Sequence, residues 1–560
     1  MAGQDTVISI RDLGIVSEAG ARVIDGVSLD VARGEVLALI GASGSGKTTL
    51  ALTALGHLRP GLIHDRGQVV LDGDDVFALT QNQLNNLRGR KVAYVAQSAA
   101  AAFNPRLRLD DQVIESARLH ATLGPEKAKL RARELFRYLS LPHPETIGRR
   151  YPYQVSGGQL QRFMIAMGLL EKPLLLVCDE PTSALDVTTQ VEVMRLLKGA
   201  IADNRTSALF VSHDLAVVAQ IASRIAVLKG GRLIECGPTE QIINDPREAY
   251  TKELIAASSH LRGGTAGKCA PRAGLSEGLQ ARAIVAGYGR MESGKPQFPS
   301  LHDVDLEVGR SEIVAVIGES GSGKTTLARV IAGLHAPTSG ALTLSGKPLA
   351  ALDRQRSLDD RRRVQLVFQM ADTALNPRHK VRRIIGRTLK FFHGMSGSAA
   401  EARMVELLAK VQLPAHYLDR YPTEISGGEK QRVNLARALA AEPDVLICDE
   451  ITAALDTIVA QTVIALVRKL RDELGLAIIF ISHDLATVAN LADRVMVLRH
   501  GRVVETGPTG DVLNSPRDPY TRLLTASVPE LRLGWLEDAA STRDDLAAAL
   551  KQSTPAAIPA

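Results

Sequence analysis

GASGSGKTT, residues 41–49, follows directly on the apolar run EVLALI, and GESGSGKTT, residues 318–326, follows IVAVI. Both fit GxxxxGK[ST]. Glycines at these places let consecutive backbone N–H groups turn inward around a phosphate. A helix starting at the end of the loop adds its N-terminal partial positive charge. Gly41, Ser43, Gly44, Gly46, Lys47, Thr48 and Thr49 form one candidate cradle, and Gly318, Ser320, Gly321, Gly323, Lys324, Thr325 and Thr326 the other. Lys47 and Lys324 are expected on the β- and γ-phosphates, and the hydroxyls of Thr48 and Thr325 on Mg²⁺.

The two loops are part of a larger repetition. VSGGQLQR at 155 returns as ISGGEKQR at 425, CDEPTSALD at 178 as CDEITAALD at 448, and FVSHDLAVVA at 210 as FISHDLATVA at 480. YTKELIAAS at 250 returns as YTRLLTAS at 520. The order never changes, so this is a domain duplication, not a short-period solenoid. The 560 residues also exceed the roughly 250–300 that one core supports. The expected layout is a first domain over 1–260, a Gly/Ala/Pro-rich linker over 261–280, a second domain over 281–535 and a tail over 536–560, frayed after a short helix.

Within each half, LLLVCDE (174–180) and ALFVSHD (208–214), with VLICDE and IIFISHD in the second copy, are short apolar runs ending in polar residues. They read as central parallel strands. Helical stretches between them give an α/β class, with ligands beyond the carboxyl ends of the strands. Asp179 and Asp449 close such strands, where a carboxylate can hold Mg²⁺. Glu180 and Glu450 follow, placed to accept a proton from an attacking water.

The apolar fraction of 45% and charged fraction of 23% are ordinary for a globular protein. The net charge of +6 is spread along the chain and gives little support to a nucleic-acid interface. Of four cysteines, Cys178, Cys236, Cys269 and Cys448, none forms a CxxC pair, which argues against a zinc ribbon and fits a reducing compartment. Residues 1–10 lack the pattern of a signal peptide, and no window approaches the ~20 apolar residues of a membrane span. Membrane contact is therefore expected only through partners.

Taken in order, the phosphate loop, VSGGQ or ISGGE, the strand ending in Asp-Glu, SALD or AALD, and SHD resemble the nucleotide-binding domain of ATP-binding cassette proteins. The resemblance implies two P-loop domains, each a mixed-sheet core with a helical subdomain. It implies a head-to-tail sandwich in which Lys47, Thr48, Asp179, Glu180 and His213 face Ser426, Gly427 and Gly428. In the second site Lys324, Thr325, Asp449, Glu450 and His483 face Ser156, Gly157 and Gly158. Gln97 and Gln369 match the glutamine that senses Mg²⁺, water and the transporter. His213 and His483 match the histidine that contacts the γ-phosphate. Asp186 and Asp456 match the loop that connects the sites.

FNPR (103–106), LNPR (375–378) and the terminal GPT…YT segments are similar to the ATPases of dipeptide, oligopeptide and nickel importers, in the fused layout of glutathione-importer-like members. That resemblance implies two membrane permease subunits, an extracytoplasmic solute-binding protein, and a peripheral place on the cytoplasmic face of the membrane. Many members hold an iron–sulfur cluster on clustered cysteines after the Tyr-Thr motif. Only Cys269 stands there, so no cluster is expected. Tyr288 matches the family's adenine-stacking aromatic, and the first half has no aromatic between Asp12 and Val23. Glu429 stands where Gln159 stands in the first signature, adding negative charge and making the sites unequal. Both halves keep the Glu and His, so both are expected to hydrolyse ATP. The other readings are a soluble tandem-cassette ATPase of ribosome-associated or DNA-repair type, and an exporter.

Overall fold

The computed structural model describes residues 6–182, 185–260, 278–292, 295–453 and 455–553. Most of the linker read at 261–280 lies outside them, as does Cys269. The chain divides into two units, Met1–Ser259 with Pro529–Ala540, and His260–Val528 with Ser541–Ala560. No described helix is long and apolar enough to cross a membrane.

The strands of the first unit are β1 (Thr6–Ser17), β2 (Arg22–Ala32), β3 (Val36–Ile40), β4 (Leu62–Leu71), β5 (Asp74–Asp75), β6 (Val92–Val95), β7 (Leu175–Asp179), β8 (Ser207–Val211), β9 (Arg224–Lys229) and β10 (Arg232–Pro238). They form a four-stranded antiparallel sheet in the order β2-β1-β4-β5 and a six-stranded sheet in the order β10-β9-β3-β8-β7-β6. In the larger sheet every pairing is parallel except β9 with the edge strand β10. Strands β3, β7 and β8 are buried at every residue, as expected of strands covered on both faces.

Helix α1 (Lys47–Thr53) follows the phosphate loop, and its Leu50 and Ala51 share one core with Ile8, Ile10 and Ile15 of β1 and Leu37 and Leu39 of β3. Helices α2 (Gly157–Leu169), α3 (Val187–Asn204), α4 (Leu215–Ile221) and α5 (Ala249–His260) complete the parts used below. A further helix, Pro125–Tyr138, belongs to the helical portion.

The second unit repeats this plan with β11 (Leu279–Glu292), β12 (Lys295–Val308), β13 (Ile313–Ile317), β14 (Ser339–Leu344), β15 (Lys347–Leu349), β16 (Val364–Val367), β17 (Val445–Asp449), β18 (Ala477–Ile481), β19 (Arg494–Arg499) and β20 (Arg502–Pro508). Its sheet orders are β12-β11-β14-β15 and β16-β17-β18-β13-β19-β20. The matching helices are α6 (Lys324–Ile331), α7 (Gly427–Leu439), α8 (Thr457–Leu474), α9 (Leu485–Leu491) and α10 (Pro519–Ala526), with Val381–His393 and Gly397–Lys410 in the helical portion. Each unit is thus α/β, a mixed-sheet core carrying a helical portion. Strand β11 starts at Leu279, inside the stretch read as linker.

The segment read as a tail over 536–560 is described as far as residue 553. Helix α11 spans Trp535–Ser553, and residues 529–540 belong to the first unit. Trp535 and Leu536 bury against Val191 of α3. The Gln220 amide donates to the carbonyls of Glu530 (2.9 Å) and Arg532 (2.8 Å), and the Leu536 N–H donates to its Oε1 (3.0 Å).

Candidate phosphate-binding site

Each site begins where a buried strand runs into glycines that other residues could not replace. Gly41, Gly44 and Gly46 have φ of 146°, 78° and 95°. A Cβ on Gly41 would stand 2.1 Å from the Leu228 carbonyl oxygen, and one on Gly318 2.1 Å from that of Leu498. The loops are therefore pressed against the neighbouring strand, and glycine is required by space as well as by backbone angle. Lys47, buried, donates to the carbonyls of Gly41 (2.7 Å) and Ala42 (2.9 Å). Lys324 does the same to Gly318 (2.8 Å) and Glu319 (2.7 Å). An ammonium thus sits at the centre of each loop.

Strand β7 delivers Asp179, and the backbone then turns left-handed at Glu180, with φ of 48°. The two carboxylates consequently diverge. Asp179 Oδ1 accepts from Thr48 Oγ1 at 2.8 Å. Glu180 Oε2 accepts from Gln97 Nε2 at 2.7 Å, and its Oε1 lies 3.1 Å from His213 Nδ1. In the second unit Glu450 has the same φ of 48°, accepts from Gln369 Nε2 at 2.5 Å, and lies 3.5 Å from His483 Nδ1. The structure therefore brings together the loop threonine, Asp-Glu, Gln and His of each half. Burial pushes Glu180 and Glu450 up, but the paired histidine, the nearby lysine and the glutamine amide outweigh it and hold both below the usual carboxylate range. Burial opposes the charge on His213 and His483, yet their glutamates raise both above the ordinary histidine value.

The other carboxylate distinguishes the halves. Asp179 Oδ2 accepts from Tyr94 Oη at 3.0 Å. Leu366 occupies the place of Tyr94 on β16. Asp449 Oδ1 is buried with no hydrogen-bond partner, and burial, with Glu450 adding repulsion, pushes its carboxyl up to about 6. A buried carboxylate oxygen left without a donor beside a threonine hydroxyl is a donor set that suits a hard cation. Tyr94 was not singled out in the sequence, because its partner lies 85 positions away.

The signatures start other helices. Ser156 caps α2 and pairs reciprocally with Gln159, whose Oε1 accepts the Ser156 N–H at 3.1 Å. Ser426 caps α7 the same way with Glu429, at 2.7 Å. Tyr417 Oη also donates to Glu429 (2.5 Å), so the extra charge is bound locally as the acid of a capping box. Gly158 and Gly428 leave no room for a Cβ, which would meet Thr189 at 2.5 Å or Val459 at 2.2 Å. Asp186 and Asp456 cap α3 and α8. Tyr288, 40% exposed, stacks on His335 with ring centroids 4.6 Å apart, and its hydroxyl lies 3.3 Å from Thr326 Oγ1. Ser17 holds the matching position on β1.

A model of the family described as "ABC transporter" matches residues 24–183 and 301–453. A second, "Oligopeptide/dipeptide transporter, C-terminal region", matches 234–282 and 504–553. The chain is 36% identical over 529 residues to a peptidoglycan transport ATP-binding protein, YejF, of Agrobacterium fabrum, covering 93% of this chain and 96% of that one. It is 36% identical over 564 residues to a glutathione import ATP-binding protein, GsiA, of Salmonella paratyphi A, covering 93% and 89%. A solved dimer of the ATP-binding cassette MJ0796 in a post-hydrolysis state with ADP and Pi is 28% identical, covering 41% of this chain and 98% of that one at a TM-score of 0.38.

Proposed function

The chain belongs to the ABC transporter family of ATP-binding proteins, and from that premise we propose that its two units are ATPase domains that drive import of peptides or related small solutes across the cytoplasmic membrane. The observation that carries the reading is the recurrence, in both units, of one cluster: Lys and Thr of the loop, Asp-Glu at a strand end, Gln and His. The oligopeptide-type C-terminal region follows each cluster and points to the importer branch.

In this reading the loop amides and Lys47 or Lys324 receive the β- and γ-phosphates. Thr48 and Asp179, or Thr325 and Asp449, with Gln97 or Gln369, hold Mg²⁺, which when bound offsets phosphate charge. Glu180 and Glu450, ionised at neutral pH, accept the proton of the attacking water. Their hydrogen bonds to Gln97 and Gln369 fix where that base sits. His213 and His483, whose charged form the neighbouring glutamates favour, offer a donor to the γ-phosphate. The partners are membrane permease subunits and, through them, an extracytoplasmic solute-binding protein. The chain is peripheral to the inner membrane. The relatives are named as import and transport ATP-binding proteins, which does not favour a soluble tandem-cassette role.

Purification of the tagged chain from solubilised membranes tests the reading. Permease subunits are expected to co-purify, and reconstituted with their binding protein they should take up peptide only with ATP. A binding protein whose melting rises with peptides or glutathione would name the substrate. ATP hydrolysis by a chain that associates with no membrane subunit would return the soluble alternative.

The Tyr94–Leu366 difference makes the sites unequal toward the cation. A buried carboxylate oxygen without a donor, Oδ1 of Asp449, gains a whole interaction when a cation arrives, whereas both oxygens of Asp179 already accept hydrogen bonds. Tyr94→Phe is expected to tighten cation binding at the first site by roughly 2- to 10-fold, and Leu366→Tyr to weaken it at the second by a similar factor. Titration of Mn²⁺ by its EPR signal, with a non-hydrolysable ATP analogue present, reads both. Weaker cation binding in Tyr94→Phe, or tighter binding in Leu366→Tyr, would reject this account.

A further inference from the structure

We infer that the repeated Tyr-Thr segments brace the phosphate loops, with Tyr250 and Tyr520 as positioning residues for ATP. The inference rests on reading residues 41–49 and 318–326 as ATP cradles. In the first unit the backbone N–H of Ala42 donates to Tyr250 Oη at 3.0 Å, and in the second the N–H of Glu319 donates to Tyr520 Oη at 2.8 Å. Alanine and glutamate have nothing in common as side chains, so the tyrosine reads the backbone. Tyr520 is fully buried and Tyr250 is 8% exposed.

The bond falls at a sensitive peptide. The carbonyl of Ala42 accepts from Lys47, and that of Glu319 from Lys324. The lysine bond and a phosphate compete for the same ammonium. The tyrosine bond uses an amide, so it keeps the root of the loop in place when the lysine turns to the nucleotide. A loop already held in its bound shape loses less entropy on binding.

The tyrosines are themselves fixed by a matched frame. Glu235 on β10 accepts the N–H groups of Arg247 (3.0 Å) and Glu248 (3.1 Å), just before α5. Glu505 on β20 accepts those of Arg517 (2.9 Å) and Asp518 (3.1 Å), just before α10. Lys229 Nζ stands 4.3 Å from the Tyr250 ring centroid, and the Arg499 guanidinium 4.9 Å from that of Tyr520. The turn after each of these cations also touches the loop: Gly231 N–H donates to the Ser45 carbonyl (3.2 Å) and Gly501 N–H to that of Ser322 (2.9 Å). Hairpin, helix start and tyrosine thus form one rigid path from the C-terminal region of each unit to its own loop.

The test is Tyr250→Phe and Tyr520→Phe in the full chain, singly and together. In Tyr250→Phe, amide exchange is expected to rise in residues 41–49 and not in 318–326, and the mirror pattern is expected in Tyr520→Phe. Half-saturation by ATP should rise roughly 3- to 10-fold in each, with kcat within about twofold of wild type. ATP affinity and loop exchange both within about twofold of wild type would overturn the inference. So would a rise in exchange spread evenly over a unit with a fall in kcat, since that marks a merely structural tyrosine. Failure of the wild-type chain to bind ATP would instead reject the cradle reading. If the double variant does not fold, the singles decide, each with its unaltered unit as internal control.

Discussion

Glu180→Gln together with Glu450→Gln is expected to leave ATP binding intact and to lower turnover by roughly 10²–10⁴-fold, the range of a lost general base. Both glutamates sit where the chain turns left-handed after a buried strand, and each is held by one glutamine and one histidine. Glutamine keeps the size and can still hydrogen-bond to Gln97 or Gln369, so the site should keep its shape. What it loses is the negative charge that takes a proton and that raises the histidine above its ordinary value. Equilibrium binding of ATP and steady-state phosphate release separate the two effects. Near wild-type release from the double variant would remove these residues from the base role. The single variants report the difference between halves, and equal residual rates would mean that Tyr94, Tyr288 and Glu429 do not distinguish them.

Much of each site is legible because the residues lie within a few positions of a strand end. A run such as LLLVCDE announces a buried strand and, in the same breath, the carboxylates it delivers. Two copies strengthen the reading, since the same motifs recur in the same order in both halves. What stays hidden is contact between residues distant in sequence. Tyr94 looks like one more apolar residue of β6 until Asp179 is seen opposite. Glu429 suggests free charge beside a nucleotide, but Tyr417 and the Ser426 amide bind it. The Tyr-Thr repeats mark a branch of the family in the sequence, and only the fold shows their hydroxyls on the phosphate loops.

The same limit applies to the segment 529–540, whose docking on the first unit leads to the second large effect. Trp535→Ala is expected to destabilise that unit by about 3 kcal/mol, at the lower end for loss of a buried tryptophan because the surrounding cluster is small. Trp535 is 4% exposed, Leu536 2%, and Val191 beneath them is fully buried. Gln220, 2% exposed, spends its amide on the tail's backbone. At the corresponding place in the second unit Asn490, one methylene shorter, donates to Ala486 at 2.9 Å as Gln220 does to Ala216 at 3.2 Å, and Gln461 stands where Val191 stands in the first. The seat lies on α3 and α4, which start beside Asp186 and His213, so losing it should also loosen two loops of the first site. Hydrogen exchange under mild denaturant reads the effect by unit. Protection should fall in α3 and α4 and hold in α8 and α9. Lys198→Ala, which removes only an exposed ion pair to Glu537, should change stability by less than about 1 kcal/mol. Loss of protection confined to the first unit, with Lys198→Ala neutral, assigns the docking to Trp535 and Gln220. Equal losses in both units, or none in either, would mean that the tail is not a part of the first unit's core.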